Sequence, residues 1–311
     1  MIWEKLGLVY QADQHSNEMW RNNSALTPQP FRLNAETIRV FAGFRDTDGI
    51  SRIGYVDVAA ANPQIVSAIS EHPVLNIGRD GCFDDNGLIM GDVVQAGDDV
   101  YLFYVGFQLV KKAKFLAFSG VAISRDGGNT FMRLCESPVL GRADGQAFIG
   151  AIHTARFENG IWRLWFAQGD GWEMINGVPY PRYHICYTET KDLLNIPRHS
   201  KICVQCDYPD YRIGRPKVYR LLDGNYLMYA TKGSVLGDYF PVAFRSYDGI
   251  TWEEDQAPLG ITLSESGWDS QTLCYPALLA GERETWMFYN GNQMGVDGFG
   301  VARLASTLLG T

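Results

Sequence analysis

The sequence lacks long apolar runs and basic clusters. No segment approaches the roughly 18 apolar residues of a membrane-spanning helix. The N-terminus MIWEKLGLVYQ carries charge where a signal peptide needs an apolar core. The formal net charge is -8, and the longest basic run is Lys111-Lys112. Because nucleic-acid binding needs clustered Lys and Arg, these absences argue against nucleic-acid and membrane partners and predict a cytoplasmic protein.

Cysteine is also sparse, and its six positions lie mostly in apolar stretches: Cys82, Cys135, Cys186, Cys203, Cys206 and Cys274. A reduced thiol in such a stretch packs as a small hydrophobe. Cys203-Val-Gln-Cys206 is a single CxxC pair, whereas zinc would need two more ligands at a suitable spacing. We therefore expect no structural zinc and no disulfide.

Helical apolar stripes are nearly missing too, apart from NPQIVSAISEH at 62–72, so an α/β fold is disfavoured. Instead, the sequence contains a repeat of short apolar segments. The overall composition is 46% hydrophobic and 13% aromatic, with 33 glycines. Segments typical of a central β-strand recur about 60 residues apart, as TIRVFAGFRD (from 37), VYLFYVGF (100), IWRLWFAQGD (161), NYLMYATKG (225) and ETWMFYNGN (284). This period predicts an all-β fold, a five-bladed β-propeller.

Each blade also shows an alternating third strand: SRIGYVDVA, SGVAISRD, YHICYTET, FPVAFRSYD and GFGVARLA. The last blade runs out of chain, so the N-terminal IWEKLGLVY is expected to pair with it and close the ring. We predict one domain, 1–311, with blades at about 20–75, 83–140, 147–205, 208–258, and 265–305 plus 1–10.

Two short motifs, ISRDGGNTF (123–131) and RSYDGITW (245–252), follow the third strands of blades 2 and 4. They resemble the Asp-box turns of sialidase-like propellers. A degenerate copy, TETKDLLNI, lies between them around Asp192. In the two full copies, the Asp and Gly suit a tight turn while Phe131 or Trp252 packs back into the blade, so these motifs are interpreted as scaffold.

In a propeller, the functional residues usually lie where the innermost strands begin. Those strands are interpreted as WRNNSALTP (20–28), FDDNGLIMG (83–91), YPDYRIGRP (208–216) and WDSQTLCYP (268–276), each an aromatic followed eight residues later by Pro or Gly. Blade 3 departs, with FIGAIHTARF. The side chains expected at the mouth are Asn22, Asn23, Asp84, Asp85, His153, Arg215, Asp269 and Gln271, with Glu265 nearby.

The chain resembles the five-bladed glycosidases, a group that includes arabinanases, β-xylosidases, invertases and mannoside phosphorylases. It looks most like the glycosidase-like proteins of bacterial surface-polysaccharide gene clusters. The segments carrying the resemblance are FRDTDGISRIGYVDV, FDDNGLIMGDVV, GRPKVY, SESGWDSQTLCYP and YNGNQMGVDGFGVA. The resemblance implies a carbohydrate-active enzyme that uses one ionised and one protonated carboxyl group. Some members of the resembled group hold a divalent ion on the propeller axis, so a divalent ion near His153 is a further possibility.

The acids do not match that group fully, because blade 1 offers Asn22-Asn23-Ser24 where the group has an Asp. The candidate catalytic carboxylates are Asp84 and Asp85 in blade 2 and Glu265 and Asp269 in blade 5, with Asp85 the first choice. Asp84 and Asp269 each follow an aromatic, so bracing of a turn is an alternative role for both.

Further residues are expected to bind substrate. Arg215 suits an anionic group, although a structural ion pair is the alternative, and His153 is either a ligand or a core residue. Stacking aromatics and hydrogen-bonding side chains complete the set: Trp20, Trp172, Trp268, Tyr275, Asn23, Arg45, Gln271, Asn290 and Asn292. A long connection at 169–184 is expected to contribute recognition.

Two main function classes follow. The first is a glycosidase-like enzyme acting on a sugar, including phosphorylated, nucleotide-linked or uronic acid sugars. The second is a propeller that binds a glycan or a partner protein without hydrolysis. A transfer or rearrangement reaction on the same scaffold is a third possibility, since fold does not dictate function.

Overall fold

The computed structural model describes residues 1–12, 18–143, 147–237 and 239–310. Within them the chain is all-β, with two single-turn 3-10 helices. The first strand is β1 (Glu4–Gln11), which pairs with the end of the chain. The other strands form groups in sequence order, and we call the first unit 1: β2 (Ser24–Arg32), β3 (Thr37–Arg45), β4 (Ser51–Ala59) and β5 (Asn62–Ile69).

Units 2 and 3 follow the same antiparallel order. Unit 2 contains β6 (Leu88–Ala96), β7 (Asp99–Gln108), β8 (Leu116–Ser124) and β9 (Met132–Arg133). Unit 3 contains β10 (Ile149–Glu158), β11 (Ile161–Ile175), β12 (Val178–Thr190) and β13 (Lys201–Val204).

Units 4 and 5 complete the chain. Unit 4 contains β14 (Asp210–Arg220), β15 (Tyr226–Ser234), β16 (Tyr239–Ser246) and β17 (Glu253–Glu254). Unit 5 contains β18 (Cys274–Ala280), β19 (Thr285–Asn290) and β20 (Gly298–Leu304), with β1 antiparallel to β20. The central and third strands predicted from the repeat are therefore present in all five units.

Hydrogen bonds join the units into three sheets of four, twelve and four strands. The large sheet comprises units 2, 3 and 4, linked by short parallel pairings of β8 with β10 and of β12 with β14. In addition, the first strands of consecutive units contact one another, and β18 contacts β2.

Each consecutive pair of units, including units 5 and 1, shares a buried apolar cluster. Burial of this apolar area is the main stabilising contribution. The clusters include Phe41, Ile53, Leu102 and Tyr104 (units 1 and 2); Phe103, Val121, Leu164 and Phe166 (2 and 3); Trp165, Ile185, Met228 and Phe244 (3 and 4); Leu227, Tyr229, Met287 and Tyr289 (4 and 5); and Ile38, Phe44, Phe288 and Phe299 (5 and 1).

The first strand of every unit has a register irregularity at an equivalent place. The residues there recur about 60 positions apart: Thr27, Gly91, His153, Arg215 and Tyr275. Thr27, Arg215 and Tyr275 have φ values of 53°, 58° and 57°, and each precedes a proline. A positive φ is unusual for such residues, and bulges of this kind re-aim side chains beside functional sites.

The turns after β8 and β16 confirm the scaffold interpretation of the two Asp motifs. Asp126 Oδ1 accepts the backbone N–H groups of Asn129 and Thr130 at 3.0 Å each, and Asp248 accepts those of Ile250 and Thr251 at 2.7 Å. Burial alone would raise the pKa of Asp126, but hydrogen bonds from Ser124 and Thr130 outweigh it and lower the pKa to about 2.

The segment 169–184 was predicted to be a long connection, and this is wrong. It is an extension of the β11–β12 hairpin, paired from Gln168↔His184 to Ile175↔Val178. Asn176 and Gly177, with φ of 51° and 79°, form the tight turn. The aromatic and polar residues of this segment therefore alternate between the two faces of a β-hairpin. The Gly and Pro residues among them made the segment resemble a loop in the sequence.

No helix among the described residues is long and apolar enough to cross a membrane.

Candidate functional site

A cavity of about 430 Å³ opens among the first strands of the units. We call it the arginine–tyrosine cavity, because its described lining residues include Arg45, Lys114, Arg212, Arg215, Tyr180, Tyr183, Tyr239 and Tyr275. Its size suits a small ligand. The described lining contains four cationic side chains and no aspartate or glutamate. In a protein of net charge -8, this concentration of positive charge is distinctive.

The three arginines of the lining come from units 1 and 4, and two of them have a buried nitrogen without a hydrogen-bond partner. Arg45 ends β3, and its Nε is buried without a hydrogen-bond partner, as is the Nε of Arg212 on β14. Burial lowers the pKa of Arg45, and the charge of Arg215 lowers it further, while Tyr275 opposes both. Two guanidinium groups are therefore held close together with no facing carboxylate in the described lining, an arrangement that an anion would stabilise.

Tyrosine rings hold these cations in place. The Arg215 guanidinium carbon lies 4.7 Å from the ring centroid of Tyr275, and that of Arg212 lies 5.1 Å from the ring of Tyr239. The Tyr239 hydroxyl donates to the Tyr275 hydroxyl at 3.1 Å. Burial raises the pKa of Tyr275 to about 12, so this phenol is a proton donor at neutral pH.

His153 lies at the bulge of β10, on the inner side of the cavity. It lines a smaller cavity of about 80 Å³ that shares Ile89, Phe107, Phe115, Tyr183 and Arg215 with the larger one. Only 4% of His153 is exposed, and its Nδ1 has no hydrogen-bond partner. Burial lowers its pKa well below 6.5, and the charges of Arg215 and Lys217 lower it further. His153 is therefore a neutral base at neutral pH.

A buried ion pair lies beyond His153. Lys217 Nζ is 3.6 Å from Asp92 Oδ1 and also donates to the Gly91 carbonyl. Asp92 Oδ2 accepts the Ala155 N–H at 2.9 Å. Burial lowers the pKa of Lys217 and raises that of Asp92, while the charge of each opposes the shift of the other. This pair connects β6, β10 and β14 beneath the cavity.

The pKa of His153 predicts acid-sensitive stability. Because the unfolded chain binds a proton near pH 6.5 and the folded His153 does not, stability is complete above pH 6.5 and falls below it. The loss from this group is up to about 1.4 kcal/mol per pH unit. Chemical unfolding at pH 7.5 and 5.5 should show a smaller pH dependence in His153→Asn than in the wild type. His184, whose pKa burial also lowers, contributes to the remainder.

The surroundings of His153 do not fit a divalent metal ion. No group of three or more His, Cys, Asp or Glu side chains in the described ranges is placed to hold one. The nearest charges that act on His153 are those of Arg215 and Lys217, and both would repel a cation. Burial raises the pKa values of Cys203 and Cys206 to about 12, so neither is a ready thiolate.

The structure does not bring the four predicted catalytic carboxylates together in the described lining of the cavity. Asp84 pairs with Arg133 at 2.7 Å and Asp269 with Lys5 at 2.6 Å, both deeply buried. Asp85 Oδ2 accepts the Gly81 N–H at 2.9 Å, and Glu265 is exposed. The assumed register was wrong, because β6 begins at Leu88 and β18 at Cys274, so these acids precede the strands. Their catalytic role stays a prediction.

Several predicted substrate-binding residues contact the protein instead. Asn290 accepts the Thr27 N–H at 2.7 Å and donates to two carbonyls, and Asn292 accepts the Gln271 and Thr272 N–H groups. Trp268 stacks on Tyr289, Trp172 packs on Phe148, and the Trp20 indole donates to the Glu71 carbonyl. Asn23 donates its N–H to the Arg45 carbonyl, Asn22 is buried, and Gln271 is exposed. None of these is in the described lining.

Four predicted residues do line the two cavities: Arg45, His153, Arg215 and Tyr275. Sequence reasoning missed Thr27, Lys114, Tyr180, Tyr183, Arg212 and Tyr239. Thr27-Pro28, Arg215-Pro216 and Tyr275-Pro276 share the bulge position, so the residue before each proline was the available signal.

No protein-family model matches the chain. An uncharacterized protein of Mycobacterium tuberculosis is 29% identical over 307 residues, which cover 98% of this chain and 99% of that protein. A structure of a glycosyl hydrolase from Bacteroides ovatus superimposes with a TM-score of 0.66 at 13% identity, covering 99% of this chain and 99% of that one. The chain has a glycosidase-like propeller fold.

A second solved structure agrees with the propeller assignment. The GH32 β-fructofuranosidase of Bombyx mori, in complex with sucrose, has a TM-score of 0.61 at 15% identity and covers 94% of this chain. This chain spans 63% of that enzyme. The resemblance to propeller glycosidases drawn from the sequence is thus confirmed for the fold.

Proposed function

We propose that the protein is a carbohydrate-active protein whose arginine–tyrosine cavity binds an anionic sugar derivative. The observation that carries the proposal is the charge of the described lining, which has four cations and no carboxylate. In this proposal Arg45 and Arg215 clamp a carboxylate or phosphate, and the tyrosine rings provide faces for a sugar. The Bombyx mori neighbour binds a neutral sugar, sucrose, so the proposed ligand shares its chemical class but adds a negative group.

The proposal places the cavity on the axis of a ring of five blades closed by β1. Support comes from the contacts of each first strand with the next, the contact of β18 with β2, and the β1–β20 pairing. In such a ring the five bulge residues converge on one axis. A single domain spanning 1–311 is part of this proposal.

A panel of ligands tests the anion preference. Galacturonate, glucuronate, glucose 6-phosphate, a nucleotide sugar and neutral glucose are compared by thermal shift and calorimetry at low and high salt. We expect at least one anionic sugar to stabilise the protein more than its neutral counterpart. Arg215→Ala and Arg45→Ala should weaken its binding by roughly 10- to 150-fold, the value of a charged hydrogen bond.

The matched control is Arg79→Ala, because this arginine is 73% exposed and pairs with Glu136 away from the cavity lining. Its binding should match the wild type. Equal binding of neutral and anionic sugars, or no effect of the two cavity variants, would contradict the proposal.

Hydrolysis by a carboxylate pair is the second candidate, and the glycosidase-like fold is what favours it. Of the four acids, Asp84 and Asp269 are held in ion pairs, so Asp85 and Glu265 are the two candidates for this role. If hydrolysis uses them, Asp85→Asn and Glu265→Gln should each lower turnover by about 10²–10⁴-fold while the protein stays folded. Full activity in both variants would exclude this mechanism.

A further inference from the structure

Resting on the proposed anionic ligand, the geometry points to a reaction class: we propose that the cavity abstracts the C5 proton of a uronic acid residue and eliminates the substituent at C4. This reaction needs a cation to neutralise the C6 carboxylate, a neutral base for C5–H and a neutral acid for the leaving oxygen. It needs no pair of carboxylates, whereas hydrolysis of an acetal does.

Arg215 supplies the central cation. It stands between His153, on whose pKa its charge acts, and Tyr275, whose ring it faces at 4.7 Å. With Arg45 it can hold the carboxylate and stabilise the negative charge that moves onto C6 when the proton leaves. A carboxylate in the lining would oppose that charge, and the described lining has none.

The proposed base and acid each share a cavity lining with this arginine, His153 in the smaller cavity and Tyr275 in the larger one. The His153 imidazole lines the smaller cavity together with Arg215, and its lowered pKa keeps it neutral. Tyr275 keeps its proton because of its raised pKa, and the Tyr239 hydroxyl, which donates to it, can replace that proton.

The step balances without a co-reactant. The His153 imidazole takes the C5 proton, and the electron pair of that bond moves into the C6 carboxylate, giving an enolate-like species held by the arginines. The pair then returns to form the C4=C5 double bond as the C4–O bond breaks. The leaving oxygen takes the proton of Tyr275, and His153 returns its proton to the tyrosine pair through solvent. No water enters the sugar product.

The products distinguish this reaction from hydrolysis. Oligogalacturonate and a glucuronate-containing oligosaccharide are incubated with the full-length protein in heavy-oxygen water. Elimination gives an unsaturated fragment that absorbs in the ultraviolet, is one water lighter than the hydrolysis product and carries no heavy oxygen. In deuterium oxide, a uronate substrate should also gain deuterium at C5.

Variants assign the roles. His153→Gln should abolish both C5 exchange and elimination, by about 10²–10⁴-fold, with little change in uronate binding. Tyr275→Phe keeps the ring against Arg215, so it should lower elimination by a similar factor while retaining C5 exchange. The matched controls are His72→Gln and Tyr247→Phe, whose side chains are exposed and outside both described linings. Circular dichroism and thermal unfolding confirm that each variant is folded.

Two results would overturn the proposal. One is heavy oxygen in the product, which means hydrolysis. The other is uronate binding that depends on Arg215 without a double bond or C5 exchange on any substrate, which refutes the elimination alone. If no uronate binds at all, both this inference and the uronate form of the anion proposal fail.

Discussion

Replacing Arg133 with methionine should destabilise the protein by about 3–5 kcal/mol, because it leaves a buried carboxylate without its cation. Arg133 Nη2 lies 2.7 Å from Asp84 Oδ2, and the Asp84 side chain is 1% exposed. The Tyr104 hydroxyl donates to the same oxygen at 3.1 Å. Asp84→Ala should cost less, because Arg133 is 21% exposed and can recover water. Equilibrium unfolding in urea measures both.

The stability and the turnover of Asp84→Asn, measured together, decide the role of Asp84. If it is a scaffold residue, Asp84→Asn will lower stability while the remaining folded molecules keep their sugar binding and turnover. If it is catalytic, turnover per folded molecule will fall with little loss of stability. A cost below about 1 kcal/mol for Arg133→Met would contradict the structural interpretation.

Asp269 repeats this arrangement in unit 5. Its Oδ2 accepts the Tyr289 hydroxyl at 3.0 Å and pairs with Lys5, while Trp268 stacks on Tyr289 as Phe83 stacks on Tyr104. A matching aromatic, aspartate and tyrosine in two units is what a repeat-wide structural device predicts. In both units the tyrosine follows the aspartate by 20 residues, on the central strand of the same unit, so this spacing was visible in the sequence. The cations, Arg133 and Lys5, come from distant segments.

The strands of the fold were predictable because alternating burial is local. The central strands β3, β7, β11, β15 and β19 lie where the recurring apolar segments place them, and β1 pairs with β20 as expected. Such patterns record which side of a strand is buried, and they repeat with each unit.

The cavity was harder to predict because its side chains are aimed by bulges. A bulge shifts the facing side by one residue, so the alternation read from flanking residues fails there. Asp85 and Gln271 were expected at the mouth from the alignment of the aromatic-led segments, but both precede their strands. Arg215 and Tyr275, which were also predicted, line the cavity from the bulges.

Other cavity residues depend on long-range pairing. Tyr183 lies on the extended β11–β12 hairpin and Tyr239 begins the third strand of unit 4, and both reach the cavity only when the units assemble. No local spacing links them to Arg215. The positive character of the site was therefore only partly visible, through Arg45 and Arg215.

A buried ion pair within unit 1, whose arginine also contacts unit 2, predicts the other large effect. Arg39 contacts Asp57 through two hydrogen bonds of 2.8 Å, from Nε and from Nη2, and the two residues are 3% and 7% exposed. Its Nη1 donates to the Gly128 carbonyl at 3.0 Å and to Asn129 Oδ1 at 2.8 Å, in the turn after β8. Its guanidinium also covers the Tyr55 ring at 3.5 Å.

Arg39→Met should therefore lower the free energy of unfolding by about 3–5 kcal/mol, since Asp57 would be buried without a cation and the turn would lose two donors. Asp57→Leu alone should cost a similar amount, because Arg39 would then be the unpaired charge. The double variant should be more stable than the sum of the single effects predicts, as it removes both charges and leaves apolar side chains in their place. A double-mutant cycle by urea unfolding measures this coupling, and additive costs would show that the pair does not act as a unit. The double variant should still cost something, because the donors to Gly128 and Asn129 serve the contact between units and not the ion pair.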